Sequence, residues 1–261
     1  MTPKLIKYPR TPHLEGSNIQ PGDDDLDRVP FTALIGQHVV VEEKLDGSNA
    51  ALRFSSAGKI LLQSRGHYLR GGPRERHFAL LKTWANSVTD VLWPVLGTRY
   101  VVYGEWLYAK HTIFYDALPH YFLEFDVLDT QHGVFLDTPS RKALLEGLPI
   151  TSAPVLGAGS FTNLESLTRL IGPSGFIGTV WNDHLRETCV QNGLDGPRVV
   201  RETDPSGLME GLYLKFETNG IVQSRLKYVR SSFTQAVQAS DSHWFDRPIV
   251  PNRLRDGASL W

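Results

Sequence analysis

Residues 37–54 read QHVVVEEKLDGSNAALRF, two β-rich apolar runs separated by Lys44-Leu45-Asp46-Gly47. Val39 to Val41 and Ala50 to Leu52 suit strands, and Asp-Gly between two strand-like runs is a strong turn signal. On this local pattern the segment is a hairpin and Lys44 an exposed neighbour of its turn. A second reading puts Lys44 at a strand end, pointing into a pocket. Nearby cations would then lower its pKa and make the amine nucleophilic. Gly47 would let the backbone pass close to a bound molecule.

Working outward, the same short apolar runs recur at 59–65 (KILLQSR), 99–108 (RYVVYGEWLY) and 120–129 (HYFLEFDVLD). Another pair, 210–217 and 220–230, reads as a hairpin turning at Asn219-Gly220. Between them, Phe78, Leu81, Ala85, Val88 and Leu92 repeat at helical spacing. Thr138 followed by Pro139 predicts an N-cap with proline at the first helical position, and Asn163 likewise starts a helix. Further helices are predicted over 180–191 and 232–239. Strands before, between and after helices give an α+β fold, antiparallel β-sheets with flanking helices. We divide the chain into a Pro-, Gly- and Asp-rich lead-in (1–35), a main domain (36–230) and a short C-terminal tail (231–261).

With 41% hydrophobic and 21% charged residues in 261, the chain has the make-up of a globular protein with a full core. No run approaches the roughly 18 uncharged apolar residues of a membrane helix, and the N-terminus lacks a signal-like apolar region. Cys189 is the sole cysteine, which excludes an internal disulfide framework and points to a reducing compartment, the cytoplasm. The net charge of −1 does not advertise a nucleic-acid binder, so any such contact needs a local basic patch. The loop 65–77 offers one: Arg65, Arg70, Arg74 and Arg76 stand there with only Glu75 opposing them.

Other residues could carry chemistry. Glu105, inside an apolar strand, needs a partner because an unpaired buried charge is costly; a structural arginine or ribose hydroxyls would serve. Phe122 and Phe125 are core rings or a platform for a base. Glu210 opens an apolar strand and would suit magnesium-bound phosphate. Arg225 and Lys227 alternate on one strand face, where two cations repel unless an anion lies between them.

In chain order, K-x-D-G-x-N (44–49), S-R-G (64–66), Y-G-E (103–105), F-D (125–126), E-G-x-x-x-K (210–215) and the pair Arg225/Lys227 resemble the covalent nucleotidyltransferase superfamily of ATP-dependent RNA and DNA ligases and mRNA capping enzymes. The likeness runs from Val41 to Arg230 and is greatest to RNA ligases of the bacterial and phage end-joining type. It implies a ligase adenylation-domain fold and ATP-dependent RNA end joining with Mg2+ or Mn2+. Lys44 would attack the α-phosphorus of ATP and keep AMP. The AMP would pass to an RNA 5′-phosphate, from which a 3′-hydroxyl displaces it. Glu43 would sit by the adenine edge, Phe125 would stack on the adenine with Asp126 in support, and Glu105 would hold the ribose hydroxyls. Arg65 would meet ribose or phosphate, and Asn49 phosphate or the incoming end. Glu210 would place the metal. Lys215 belongs to the nucleotide-binding set, and Arg225 and Lys227 would hold the α-phosphate and departing pyrophosphate.

The resemblance has alternatives within and outside its chemistry: a DNA or hybrid nick ligase, or a catalytically silent nucleic-acid-binding relative. The intact lysine and carboxylates argue against the silent one. Two departures stand out. Arg225 replaces the family's usual lysine, which keeps the charge but not a transferable proton. Only residues 231–261 follow Arg230, too short a stretch for an OB barrel, which weakens the DNA-ligase and capping readings. The segments 243–245, 247–248 and 251–254 resemble the ends of stand-alone bacterial RNA ligases. Arg10 and His13 are candidates to reach substrate, and an end-healing kinase or phosphatase is a candidate partner.

Overall fold

The computed structural model describes residues 3–19, 23, 25–238 and 247–261. The expected likeness at His243, Trp244 and Phe245 lies outside the described residues. Two six-stranded sheets form the α+β body. The first is ordered β10 (Val155–Gly159), β3 (Val39–Lys44), β11 (Gly211–Thr218), β12 (Ile221–Val229), β1 (His13–Leu14) and β2 (Arg28–Val29). The second runs β5 (Ile60–Ser64), β4 (Ser48–Phe54), β6 (Tyr100–Trp106), β7 (Phe122–Asp129) and β8 (Val134–Phe135), with β9 (Thr151–Ser152) also on β7. The central pairings β3–β11, β11–β12, β4–β6 and β6–β7 are all antiparallel.

Each sheet buries one face against helices. Leu52, Phe54, Leu62, Val102 and Trp106 pack on α1 (Ala79–Ser87) and α2 (Thr89–Leu96) through Leu81, Trp84 and Leu92. Val39, Val41, Leu212, Leu214 and Leu226 pack on α4 (Leu164–Thr168) through Leu167, and on Leu34 of a short 3-10 turn. The three valines of β3 form an unbroken apolar run because the strand is covered on both faces. A sizeable insertion holds α5 (Trp181–Gln191) and α6 (Gly196–Arg201), while α3 (Thr138–Leu145) and α7 (Ser231–Gln238) follow β8 and β12. Among the described residues no helix is long and apolar enough to cross a membrane.

Three local expectations change. The Asp46-Gly47 step is not a hairpin turn: β3 and β4 belong to different sheets, and residues 45–47 carry the chain across from one to the other. Gly47 is needed for contact and not for a turn, since a Cβ there would lie 2.7 Å from Leu107 Cδ2 and 2.8 Å from the Trp106 carbonyl oxygen. The helix expected through 78–92 breaks at Val88, where Ser87 and Thr89 hydroxyls donate to the Trp84 and Ala85 carbonyls. The cap of α3 is Asp137, whose carboxylate accepts the Ser140 amide at 2.9 Å. Thr138 instead donates its hydroxyl to Glu217 at 2.6 Å. Asn163 caps α4 as predicted, and Asn219 and Gly220 take the positive φ values of 53° and 81° that a tight hairpin demands.

Lead-in and tail both pack into the body. β1 pairs in parallel with β12, setting His13 opposite Lys227. Asn252 staples the segment between β6 and β7: its side chain donates to the Leu107 carbonyl at 2.7 Å and accepts the Tyr115 amide at 2.9 Å. Its carbonyl accepts the Tyr121 hydroxyl at 2.9 Å.

Candidate active site

The inner faces of the sheets meet in a buried ionic layer. Arg141 of α3 bonds both Glu42 and Glu124, Lys215 lies 2.9 Å from Glu42, and Arg225 bonds Asp126 at 2.7 Å. Three cations thus face three carboxylates, which is how charge is tolerated away from water. Above this layer opens a cleft of about 930 Å³, within the size range of small-molecule sites.

Lys44 sits at the cleft end of β3, opposite Gly211. A Cβ on Gly211 would fall 1.9 Å from the Tyr228 carbonyl oxygen, so glycine is required for β12 to lie this close. The preceding residue, Glu210, is thereby brought to Lys44, with Oε2 2.6 Å from Nζ. Burial works to depress the Lys44 amine, but Glu210, Glu105 and Asp46 outweigh it and hold the pKa above the usual lysine range. This corrects the expectation of an amine lowered by surrounding cations. Its nearest charged neighbours are carboxylates.

Those carboxylates are crowded. Burial, reinforced by Glu210 and Asp46, pushes Glu105 up to about 8 against the pull of Lys44 and Arg65. Burial raises Glu43 to about 7, although the Ser174 hydroxyl donates to it at 2.6 Å. Burial and Glu210 raise Asp46 to about 6. Asp46 also braces the loop stapled by Asn252: its Oδ2 accepts the amides of Thr112 and Ile113, both at 2.7 Å. His111 of that loop bonds Ser48 Oγ at 3.2 Å.

Phe125 reaches the cleft through a β-bulge. Tyr103 pairs with Asp126 and Gly104 with Glu124, which leaves Phe125 as the extra residue of β7, and such bulges re-aim a side chain. Its ring meets Tyr8 edge-on at 5.2 Å and lies 5.9 Å from Tyr213. Asn49, opposite Glu105 on β4, and Arg65 also line the cleft.

Of the residues singled out from sequence, Glu43, Lys44, Asn49, Arg65, Glu105, Phe125, Glu210 and Lys227 share this cleft. Lys215 and Arg225 do not. Lys215 is wholly buried, donating to the Phe125 carbonyl, and Arg225 stacks on Phe135 at 4.0 Å. Arg225 and Lys227 do share a strand face, yet Arg225 lies deeper and meets Asp126 while Lys227 opens to the cleft. Sequence reading missed Ser174, His111 and Tyr8, and also Asp23, which ion-pairs with Lys227. A polar Lys-His-Thr run between two apolar strands was a signal for His111; the others left none.

Among the described residues no group of three His, Cys, Asp or Glu side chains is arranged as a metal cage. The crowded carboxylates around Lys44 nonetheless fit a hard divalent cation of the magnesium kind, which takes one or two carboxylates and completes its shell with phosphate and water oxygens. Glu210, on the cleft wall, is one carboxylate that could contribute an oxygen to it.

A family model described as RNA ligase matches residues 37–229, and the chain belongs to the RNA ligase family. No curated protein sequence matches it. Among solved structures it is similar to an RNA ligase mutant of Naegleria gruberi with ATP and Mn (TM-score 0.51, 15% identity, 80% of this chain and 54% of that one). It is similar too to a mutant of that ligase with AMP and Mn (TM-score 0.56, 15% identity, 91% and 60%). The same ligase with PPi gives a TM-score of 0.51 at 17% identity over 79% and 53%. At these identities the likeness establishes a shared fold, and the chain spans 54% of the length of the first of these structures.

Proposed function

We propose that this chain is an ATP-dependent RNA ligase whose nucleophile is the Lys44 amine, joining a 5′-phosphate to a 3′-hydroxyl. The carrying observation is the position of Lys44: it lies in a cleft against Glu210 with Glu105, Arg65, Phe125 and Lys227 on the surrounding walls. Phe125 offers a face for the adenine, Glu43 its edge contact, and Glu105 an acceptor for ribose hydroxyls. Lys227 and Arg65 neutralise phosphate charge, which grows as the leaving group departs.

Lys44 is paired and protonated at rest. Once the Glu210 contact is given up, the largest opposition to burial is gone, and burial favours the neutral, nucleophilic form against the remaining pull of Glu105 and Asp46. The Nζ–P bond then forms as the bond to the pyrophosphate oxygen breaks, leaving a lysine phosphoramidate of AMP. Transfer of that AMP to an RNA 5′-phosphate frees the amine, and a 3′-hydroxyl completes the join with loss of AMP. A divalent cation held by Glu210 would supply charge neutralisation on phosphate oxygens. The ends required imply a kinase or phosphatase that leaves a 5′-phosphate and a 3′-hydroxyl.

ATP labelled at the α-phosphate tests this directly. Label should transfer to the purified protein and be absent in Lys44→Ala; an unlabelled wild type, or a labelled variant, refutes the assignment. Competition between single-stranded RNA and nicked DNA duplexes then reads the substrate class.

A further inference from the structure

The lead-in brings a carboxylate and two nitrogen-bearing side chains to the phosphate-facing lysine of the cleft. Asp23 Oδ2 contacts Lys227 Nζ and lies 3.5 Å from His13 Nε2, while Asp23 Oδ1 lies 3.3 Å from Arg10 Nη2. Lys227 is on β12, His13 on β1, and Arg10 precedes β1, so the convergence is built by the β1–β12 pairing and not by neighbours in sequence.

His13 is the informative member. It is wholly buried, its Nδ1 bonds Ser17 Oγ at 2.7 Å, and its Nε2 makes no hydrogen bond. Ser17 Oγ accepts the Val229 amide at 2.9 Å and can give its own proton to His13 Nδ1, and in that tautomer Nε2 carries the ring proton. A buried donor without an acceptor is costly, so its retention calls for an acceptor nearer than the Asp23 oxygen. Lys227 is also close enough to Lys44 for their charges to oppose one another, which places an anion-seeking site beside the nucleophile.

We propose that Lys227, His13 and Arg10 form a subsite for the departing pyrophosphate, in which the Asp23 carboxylate sits as an internal stand-in. The proposal rests on the ligase reading for the identity of the anion. Asp23 offers two oxygens to this set of donors, while Arg10 also bonds Asp25 at 2.5 and 2.7 Å; pyrophosphate offers several oxygens more than Asp23 and a higher charge. Asp23 must leave Lys227 for the anion to enter, so it competes with pyrophosphate and weakens its apparent binding.

Equilibrium binding of inorganic pyrophosphate to the full chain tests this, using wild type, Asp23→Asn, and Asp23→Asn combined with His13→Asn. Asp23→Asn should tighten pyrophosphate by about tenfold, the effect of freeing a site that its own occupant fills nine-tenths of the time. Adding His13→Asn should remove most of that gain. Unchanged or weaker binding in Asp23→Asn overturns the proposal, because Asp23 would then merely brace Lys227. Tightening for 5′-phosphorylated RNA but not for pyrophosphate also overturns it. Adenylylation of Lys44 is followed in parallel. Intact labelling with an unmoved pyrophosphate affinity sinks only this inference, whereas absent labelling in the wild type sinks the ligase reading.

Discussion

Replacing Arg141 by Met removes the hub of the buried ionic layer and gives a destabilisation whose size and pH dependence follow from the contacts. Arg141 is fully buried and bonds Glu42 and Glu124, the latter at 2.5 Å. Lys215 still serves Glu42 at 2.9 Å, so Glu124 is the carboxylate left without a cation bonded to it. Removing one member of a buried pair costs about 3–5 kcal/mol. The folded variant can escape by protonating Glu124, at a cost of about 5 kcal/mol at pH 8 and about 1.6 kcal/mol at pH 5.5, taking a free glutamate pKa of ~4.3. Burial already holds Glu124 above the usual carboxylate range in the wild type, against Arg141 and Lys215, and the substitution raises it further. The folded variant then binds a proton that the unfolded chain releases above pH ~4.3, so its stability falls as pH rises from there. Urea titrations followed by circular dichroism should show a loss of about 3–5 kcal/mol at pH 8, shrinking by roughly 2–3 kcal/mol at pH 5.5. The midpoint of thermal melting at pH 8 should fall by roughly 10 °C. A loss below about 1 kcal/mol at pH 8, or a gap that widens on acidification, would show that the layer is hydrated or self-compensating.

Lys44→Arg should fail to take label from α-labelled ATP as completely as Lys44→Ala, because a guanidinium keeps its proton; stable label in either places the nucleophile elsewhere. Phe125→Ala should weaken ATP use by roughly 1–3 kcal/mol, the range for one base stack, read as a raised KM for ATP in label transfer. An unchanged KM would hand the platform to Tyr213 or Tyr8, the rings beside it. Gly47→Ala, whose Cβ would press on Leu107 and the Trp106 carbonyl, should cost about 1–3 kcal/mol of stability and displace Lys44. A variant with wild-type melting and wild-type labelling would refute the close approach.

The long strands β3 to β7, β11 and β12 and the α+β character were legible because each apolar run carries its own period, whereas β1, β2, β8, β9 and β10 are too short or too polar to announce themselves. Partners of strands were less so. Asp-Gly obeys a local turn rule, and nothing in residues 45–47 announces that β3 and β4 join different sheets. Alternation along β12 told that Arg225 and Lys227 share a face, but period two gives side and not depth. Depth was decided by Asp126, a residue 99 positions away from Arg225. The charge around Lys44 was misread for a similar reason: Glu105 and Asp46 reach it from β6 and from the crossover, and one-dimensional spacing does not sum fields. Asp23, 204 positions from Lys227, was beyond any pattern in the sequence.

The bonds of Asn252 bear on how the molecule is born. Residues 107–121 leave the ribosome long before the asparagine that ties them down, which follows them by 131 to 145 positions. Until then the loop that grips Asp46 has lost its outer brace, and the amine two residues upstream lacks a fixed floor. A nascent chain halted between residues 230 and 251 therefore carries every strand of both sheets and still a cleft without that brace. The brace is set only once residue 252 has been made and has folded back onto residues 107–121.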